Sequence, residues 1–579
     1  RFSRIVNKHV ICTAGHVDHG KSTLVNALTG VDPDRWAEEK RRGLTIDLGF
    51  AKANRRNNGF VSFIDVPGHE RFLKNMLAGV GAVDGCLFVV DSTEGWKPQS
   101  EEHLRILNLL GVERGLIALT KISLVDDDFR EIVELEIKDH LKDTFLESAP
   151  IIPVDSITGE GIDLLITELE NMLEGTPVAK DNDRPRLWID RVFTVRGSGT
   201  VVTGTLTGGS LKVDDEIVIN PQNFVTRIRS LQSHDEQISN TSPGSRVAIN
   251  LSNIDHRSIG RGSVITNPGQ WFLTSTFDAE LDVLPSIEHE VSRRGAYLVY
   301  VGTKEEFVKV RVLGDEVIPA GSKGLIRVYM DEKLPLMLGD RLILRESGRN
   351  ETVGGAIILD PDPILRAAEA KPNSSIDRII SEHKWITPSH LESLTGVRRE
   401  EDVPGWIVDP LCLEDMIANL SQRLLTAGNL GLDITSLDQF ERAAIGLLEG
   451  VFIEGKYLRM EGADNLSDHP YLHQLESDLF KPPDANGVDP RELRELVRRG
   501  LIIEQNGIFF SQNAVTSAAR RIQVLLNENP EGVTVGEVRI ALDSTRKYVL
   551  PLLNYLDQIG ATVRRNDVRL AGKRLGEII

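Results

Sequence analysis

Through the first third of the chain, short apolar runs alternate with segments whose apolar positions recur at the helical period. The runs at 9–14, 60–64, 85–91, 115–121 and 150–154 predict strands, and 22–28, 100–110 and 129–141 predict helices. This βαβ rhythm implies a parallel sheet covered on both faces. After a polar linker at 181–185, the helical period gives way to β-branched runs punctuated by glycine, such as 187–195, 199–206, 298–302 and 325–330. That spacing predicts small antiparallel barrels. From about residue 365 the pattern turns helical and repeats weakly, with Gly450, Gly500 and Gly560 each ending a helical pattern ahead of two short strands. In the middle copy, Asn506-Gly507 between the apolar runs 501–504 and 508–510 is a hairpin signal. In the last copy Val549, Leu552, Leu553 and Leu556 fall at i, i+3, i+4 and i+7, which defines a buried face. Helices followed by a hairpin describe a winged helix, so three such units are expected, with room for a fourth before Gly450.

Composition narrows the class. A chain of 579 residues holds roughly four to six domains. Its three cysteines, Cys12, Cys86 and Cys412, lie far apart without paired spacing, which argues against a disulfide framework or a zinc site and fits a reducing cytosol. No stretch approaches the roughly 18 apolar residues of a membrane span, and the N-terminus lacks the order of a signal peptide. A cytoplasmic protein without a membrane partner is expected. The net charge of -19 opposes indiscriminate nucleic-acid binding, so RNA contacts must come from local basic patches.

The chemistry concentrates at residues 15–23, which follow the first predicted strand and fit the phosphate-cradling pattern G-x-x-x-x-G-K-[ST]. Backbone N–H groups of Asp18, His19 and Gly20 would turn toward the phosphates of a nucleotide, with the start of the next helix at Ser22 and Thr23 behind them. Lys21 would neutralise charge and Ser22 would hold Mg²⁺. His16, Asp18 and His19 could instead form a metal cluster, but the loop already accounts for them. Thr45, in the stretch Arg42-Gly43-Leu44-Thr45-Ile46-Asp47, is the candidate for sensing the γ-phosphate and binding Mg²⁺. Asp65, at the C-terminal end of a strand, can reach Mg²⁺ through water. Gly68 can bring its N–H to the γ-phosphate, and His69 could position the attacking water as the catalytic residue.

Gly15–Ser22, 42–51, 65–79 (Asp-Val-Pro-Gly-His-Glu-Arg-Phe-Leu-Lys-Asn-Met-Leu-Ala-Gly) and Pro98-Gln-Ser-Glu-Glu-His103 resemble a translational GTPase, and more narrowly the bacterial selenocysteine-specific elongation factor family, SelB. The resemblance implies an α/β P-loop GTPase domain at 1–178, β-barrels at 182–270 and 271–362, one or two winged helices at 365–460, and further winged helices at 461–512 and 513–579. It implies GTP/GDP and Mg²⁺ as cofactors, and selenocysteyl-tRNA, an mRNA hairpin (SECIS) and the ribosome as partners of a monomer. One departure matters. The family reads guanine with Asn/Thr-Lys-x-Asp, whereas this chain has Thr120-Lys121-Ile122-Ser123. Serine is too short for the bidentate contact of a carboxylate, a loss of about 1.5–3 kcal/mol. Asp126 is a poor substitute. The second base motif, usually Ser-Ala or Ser-Ser, is Asp155-Ser156-Ile157, and Lys121 can still cover the base plane.

The resemblance also places the aminoacyl group where the first barrel meets the GTPase domain. Arg191 and Arg246, oriented by Asp190, would favour a selenolate over the neutral hydroxyl of serine. In the tail, Thr545 could cap a helix whose first turn exposes Arg546 and Lys547. Tyr548 could stack on a base, and Arg564, Arg565 and Arg569 on the wing would meet RNA phosphates. The function expected is GTP-dependent delivery of selenocysteyl-tRNA to the ribosome at UGA codons. The alternatives are a general aminoacyl-tRNA elongation factor, which lacks such a tail, and an RNA-binding scaffold with a weakened nucleotide domain, which Ser123 would suit.

Overall fold

A computed structural model describes residues 8–33, 48–54, 60–66, 83–195, 197, 199–233, 236–461 and 466–578. Thr45, Gly68 and His69 lie outside them. The described chain divides into two compact units, 1–401 and 402–579, each taken here by itself.

Unit 1 begins with a six-stranded sheet of order β2-β3-β1-β4-β5-β6. Its strands are β1 Lys8–Ala14, β2 Gly49–Asn54, β3 Phe60–Asp65, β4 Gly85–Asp91, β5 Gly115–Thr120 and β6 Ile151–Pro153. Four helices accompany them: α1 Lys21–Thr29, α2 Pro98–Leu109, α3 Asp127–His140 and α4 Ile162–Glu174. All neighbours run parallel except β2, which lies antiparallel to β3. Successive strand residues enter opposite cores. Val10, Cys12, Ala14, Phe88 and Val90 pack on one face, while Ile11, Leu87, Val89 and Leu24 of α1 pack on the other. Both faces are therefore dry, and the loops at the C-terminal strand ends are the place where polar groups can converge. All three cysteines are free, and burial pushes the Cys12 thiol up to about 12.

Next comes an antiparallel barrel that includes β7 Arg186–Val195 and β8 Gly199–Thr207, closed where Glu216–Asn220 pairs with both Phe224–Ser233 and Val264–Thr266. A second closed barrel runs from Leu273–Val283 to Glu351–Asp360. The two barrels meet at a bidentate ion pair, Arg186 to Asp340 at 2.6 and 2.7 Å, with Trp271 between the guanidinium groups of Arg184 and Arg186. Ile343 of the second barrel is buried in the core of the sheet domain, and nearby Arg345 reaches Glu102 of α2.

In unit 2, hairpins follow Gly450, Gly500 and Gly560, all at positive φ. The last segment has helices Gln512–Glu528, Val535–Ala541 and Arg546–Gln558 against a three-stranded sheet, a winged-helix arrangement. Val549, Leu552, Leu553 and Leu556 share one core with Ala518, Ile522 and Val538. Among the described residues no helix is long and apolar enough to cross a membrane. Replacing Leu552, 2% exposed, with Ala should cost this module about 2–5 kcal/mol. Amide hydrogen exchange is expected to show that loss over 513–578 while β1, β4 and β5 keep their protection.

Candidate nucleotide and cargo sites

The phosphate loop starts where β1 runs out of apolar residues. Gly15 sits at φ +127°, and a Cβ there would lie 2.1 Å from the Val89 carbonyl, so only glycine lets the loop lie on β4. Four further bonds fix the loop. Gly15 N–H donates to His103 Nδ1 (3.1 Å), Val17 N–H to Gln99 (3.2 Å), Thr120 Oγ1 to the His19 carbonyl (2.8 Å), and Lys121 Nζ to the Asp18 carbonyl (2.8 Å). Gly20, at φ +84°, opens α1, whose first residues are Lys21, Ser22 and Thr23. Lys21 is 6% exposed, and its ammonium donates to the carbonyls of Gly15 (3.1 Å) and His16 (2.7 Å).

Asp65, at the end of β3, is fully buried. Its Oδ1 accepts from Thr13 and its Oδ2 from Ser22, each at 2.7 Å. Two oxygen ligand types, a hydroxyl and a buried carboxylate, thus meet beside the loop, a donor set suited to a hard divalent cation such as Mg²⁺. Three histidines, His16 and His19 of the loop and His103 of α2, stand together here. Burial holds His19 and His103 down to about 3 and lowers His16, so all three are neutral near pH 7.

At the base-side loops, Lys121 adopts φ +58° and its ammonium also pairs with buried Asp91 at 2.5 Å. Burial raises the Asp91 pKa, but the bonds from Lys121 and Thr93 outweigh it, and the carboxyl titrates below its ordinary value. Ser123 is exposed and donates its hydroxyl to Asp155 Oδ2, so the serine is not a solitary replacement. Asp155 Oδ1 accepts from the N–H groups of Ile157 (2.8 Å) and Thr158 (2.9 Å). Ser156 is half-buried, and Ile157 is 91% exposed. Asp126 is committed to capping α3, where it accepts from Phe129 N–H at 2.8 Å.

A cleft of about 440 Å³ lies between the β2–β3 pair and the first barrel, lined by Phe50, Lys52, Ser62, Arg191, Thr203 and Arg246 among others. Asp190 is buried, and it grips Arg246 and accepts from Thr203 at 2.6 Å. Arg191 instead donates to the Leu48 carbonyl. Asp190 therefore orients Arg246, and the charge of Arg191 also acts on Asp190, while Phe50 lies 3.4 Å from Arg246 and 5.0 Å from Arg191.

In the tail, Arg546, Lys547, Arg564 and Arg565 are exposed and Tyr548 is half-buried, with Lys547 Nζ 4.9 Å from the Tyr548 ring. Two expectations need correcting. Thr545 occupies the N-cap without a side-chain bond to the helix. Arg569 is 2% exposed and bound to Asp557 (3.0 Å) and Asn554 (3.3 Å), so it faces inward rather than toward RNA. A buried guanidinium requires such a partner, and removing the arginine would strand Asp557.

The first domain, residues 6–175, matches the family description "Elongation factor Tu GTP binding domain", and 199–266 match "Elongation factor Tu domain 2". Residues 280–364 match "Selenocysteine-specific elongation factor, beta-barrel domain" and 525–571 match "Elongation factor SelB, winged helix". The selenocysteine-specific elongation factors of Escherichia coli (strain K12) and Desulfomicrobium baculatum are 35% and 30% identical, over 97% and 98% of this chain and 98% and 100% of theirs. The chain belongs to the SelB family. A solved bacterial selenocysteine-specific elongation factor, EF-Sec, superposes with a TM-score of 0.69 at 26% identity, covering 98% of this chain and 100% of that one. The SelB of Methanococcus maripaludis with the GTP analogue GppNHp gives 0.55 at 25% identity over 62% of this chain and 80% of its own.

In this SelB-family chain, Thr13, Asp91, Gln99 and His103 bond the residues of the site, although the motifs assign none of them a role. Gln99 and His103 stand four apart on α2, a spacing that marks one helix face and signals that both address the loop. His103 ties that loop to pH. Its imidazole titrates near 3 when folded and near 6.5 when unfolded. Between those values only the unfolded chain binds the proton, so stability is full above pH 6.5 and drains as pH falls toward 3. Amide exchange across β1, β4 and β5 should report that loss, and His103→Asn should flatten its slope.

Proposed function

We propose that this chain binds selenocysteyl-tRNA in its GTP-bound state and delivers it to the ribosome at UGA codons, with the winged-helix tail tethered to an mRNA hairpin. The cleft carries the reading. A selenol is ionised at neutral pH and a serine hydroxyl is not, so two arginines beside the Phe50 ring in this cleft favour the first. Asp190 keeps Arg246 oriented, which spares the bound cargo the cost of ordering it.

On the nucleotide side, Ser22 and Asp65, with Thr45, would hold Mg²⁺, which would supply neutralisation of phosphate charge. Lys21 and the amides of Asp18, His19 and Gly20 would hold the remaining charge, Gly68 would meet the γ-phosphate, and His69 would place the attacking water once the ribosome orders the site. Lys121 would cover the base, flanked by Ser156 and Ile157. Arg546, Lys547, Arg564 and Arg565 would meet RNA phosphates, and Tyr548 would stack on a base. Tethering raises the local concentration of the loaded factor near its codon. The reading includes a cytoplasmic monomer and the domain limits 1–178, 182–270, 271–362, 365–460, 461–512 and 513–579.

The test is protection of the aminoacyl ester against hydrolysis, using selenocysteyl-tRNA and seryl-tRNA on one tRNA body, each with GTP and with GDP. Protection of the selenocysteyl ester with GTP alone is expected, and Arg246→Ala should abolish it. Equal hydrolysis in every tube would contradict the carrier role.

A further inference from the structure

Two departures from the family's base-reading motifs are complementary. Where the first motif ends in Asp, this chain has Ser123; where the second begins with a small residue, usually Ser, it has Asp155. Carboxylate and hydroxyl have changed places, and the two side chains touch, Ser123 Oγ donating to Asp155 Oδ2.

The chemistry of the touching pair is specific. Asp155 Oδ1 is occupied by two backbone N–H groups, which fixes the plane of the carboxylate. Oδ2 accepts the hydroxyl proton of Ser123, and the Ser123 backbone N–H also bonds the carboxylate. Having given its only hydrogen to Asp155, the Ser123 hydroxyl presents lone pairs alone to the exterior, where the residue is exposed. Two oxygens therefore stand side by side, both acceptors, sharing one negative charge. That charge persists at neutral pH, because the Ser123 hydroxyl and then the Thr158 amide hold the Asp155 carboxyl down to about 2. Ser123 follows Lys121 by two positions, and Lys121 is bonded to the Asp18 carbonyl of the phosphate loop, so the pair adjoins the phosphate site.

We propose that Ser123 and Asp155 act together as the base-reading group of this nucleotide site, an acceptor pair split across two loops that replaces a single carboxylate. Guanine offers two adjacent donors, the ring N1–H and the 2-amino group, and satisfies both oxygens. Adenine offers a ring acceptor at N1, and xanthine a carbonyl at C2, which the charge repels. The proposal rests on the reading that this loop holds a guanine nucleotide.

The test is equilibrium binding of GDP, ADP and XDP to the full chain and to three variants. The unaltered protein should prefer GDP to ADP and to XDP. Asp155→Asn should weaken GDP at least about tenfold and shift the GDP/XDP ratio toward XDP. Ser123→Asp alone sets two carboxylates against each other and should also weaken GDP. The double exchange, Ser123→Asp with Asp155→Ser, should return GDP to within about threefold of the original, since the same acceptor pair is rebuilt and an oxygen remains to brace Ile157 and Thr158. Tighter GDP binding by Ser123→Asp alone, with an unchanged GDP/XDP ratio in Asp155→Asn, would overturn the proposal and make Asp155 a brace of its own loop. Failure of the unaltered chain to bind any of the three would instead bring down the nucleotide reading beneath it.

Discussion

The antiparallel pairing of β2 with β3 is the constraint on which the rest of unit 1 depends. Its register sets Gly49 opposite Asp65 and Phe50 opposite Ile64. Asp65 bonds Ser22 of the phosphate loop, and the next residue across the ladder, Phe50, lies under the arginines of the cleft. The phosphate-loop contact and the cleft contact are thus one residue apart on a single strand pair. Gly49 has no room for a side chain, since a Cβ there would come within 2.7 Å of Pro33 and 3.1 Å of the Asp65 Cβ. A shift of β2 that accommodates a changed phosphate side must therefore also move Phe50, and with it the seat of Arg246 and the Leu48 carbonyl that holds Arg191.

The polar groups at this junction have close partners. Asp190 satisfies Arg246 from within the barrel, so the guanidinium has a charged partner that does not belong to β2. Around the phosphate loop the buried histidines are neutral, and His103 acts as an acceptor for Gly15 N–H rather than as a cation. Among the described residues, Lys21 and Lys121 bring positive charge to the loop and bind its own carbonyls. Buried ions are tolerable here because each has a close polar partner.

Much of the fold was legible in the sequence because its signals are periodic. Continuous apolar runs marked the sheet strands, glycine-punctuated β-branched runs marked the barrels, and Asn506-Gly507 marked a hairpin found at φ +52° and +76°. The proximity of single residues was legible where a motif fixes the geometry, as at Lys21, Ser22 and Asp65. It was not legible where the partner lies far along the chain. Arg569 looks like a wing cation until Asp557, on the preceding helix, claims it. Ser123 reads as a lesion until Asp155, 32 positions later, comes into contact with it. Neither separation has a period, so neither pairing can be read without the fold.

The most direct test of this coupling is thermodynamic linkage, measured as the affinity for GTP and for GDP with and without selenocysteyl-tRNA. If one strand pair serves both sites, the tRNA tightens GTP binding and leaves GDP nearly unchanged, GTP tightens tRNA binding by the same factor, and Phe50→Ala shrinks that factor while sparing nucleotide affinity in the absence of tRNA. Equal GTP and GDP affinities with and without the tRNA would contradict the account.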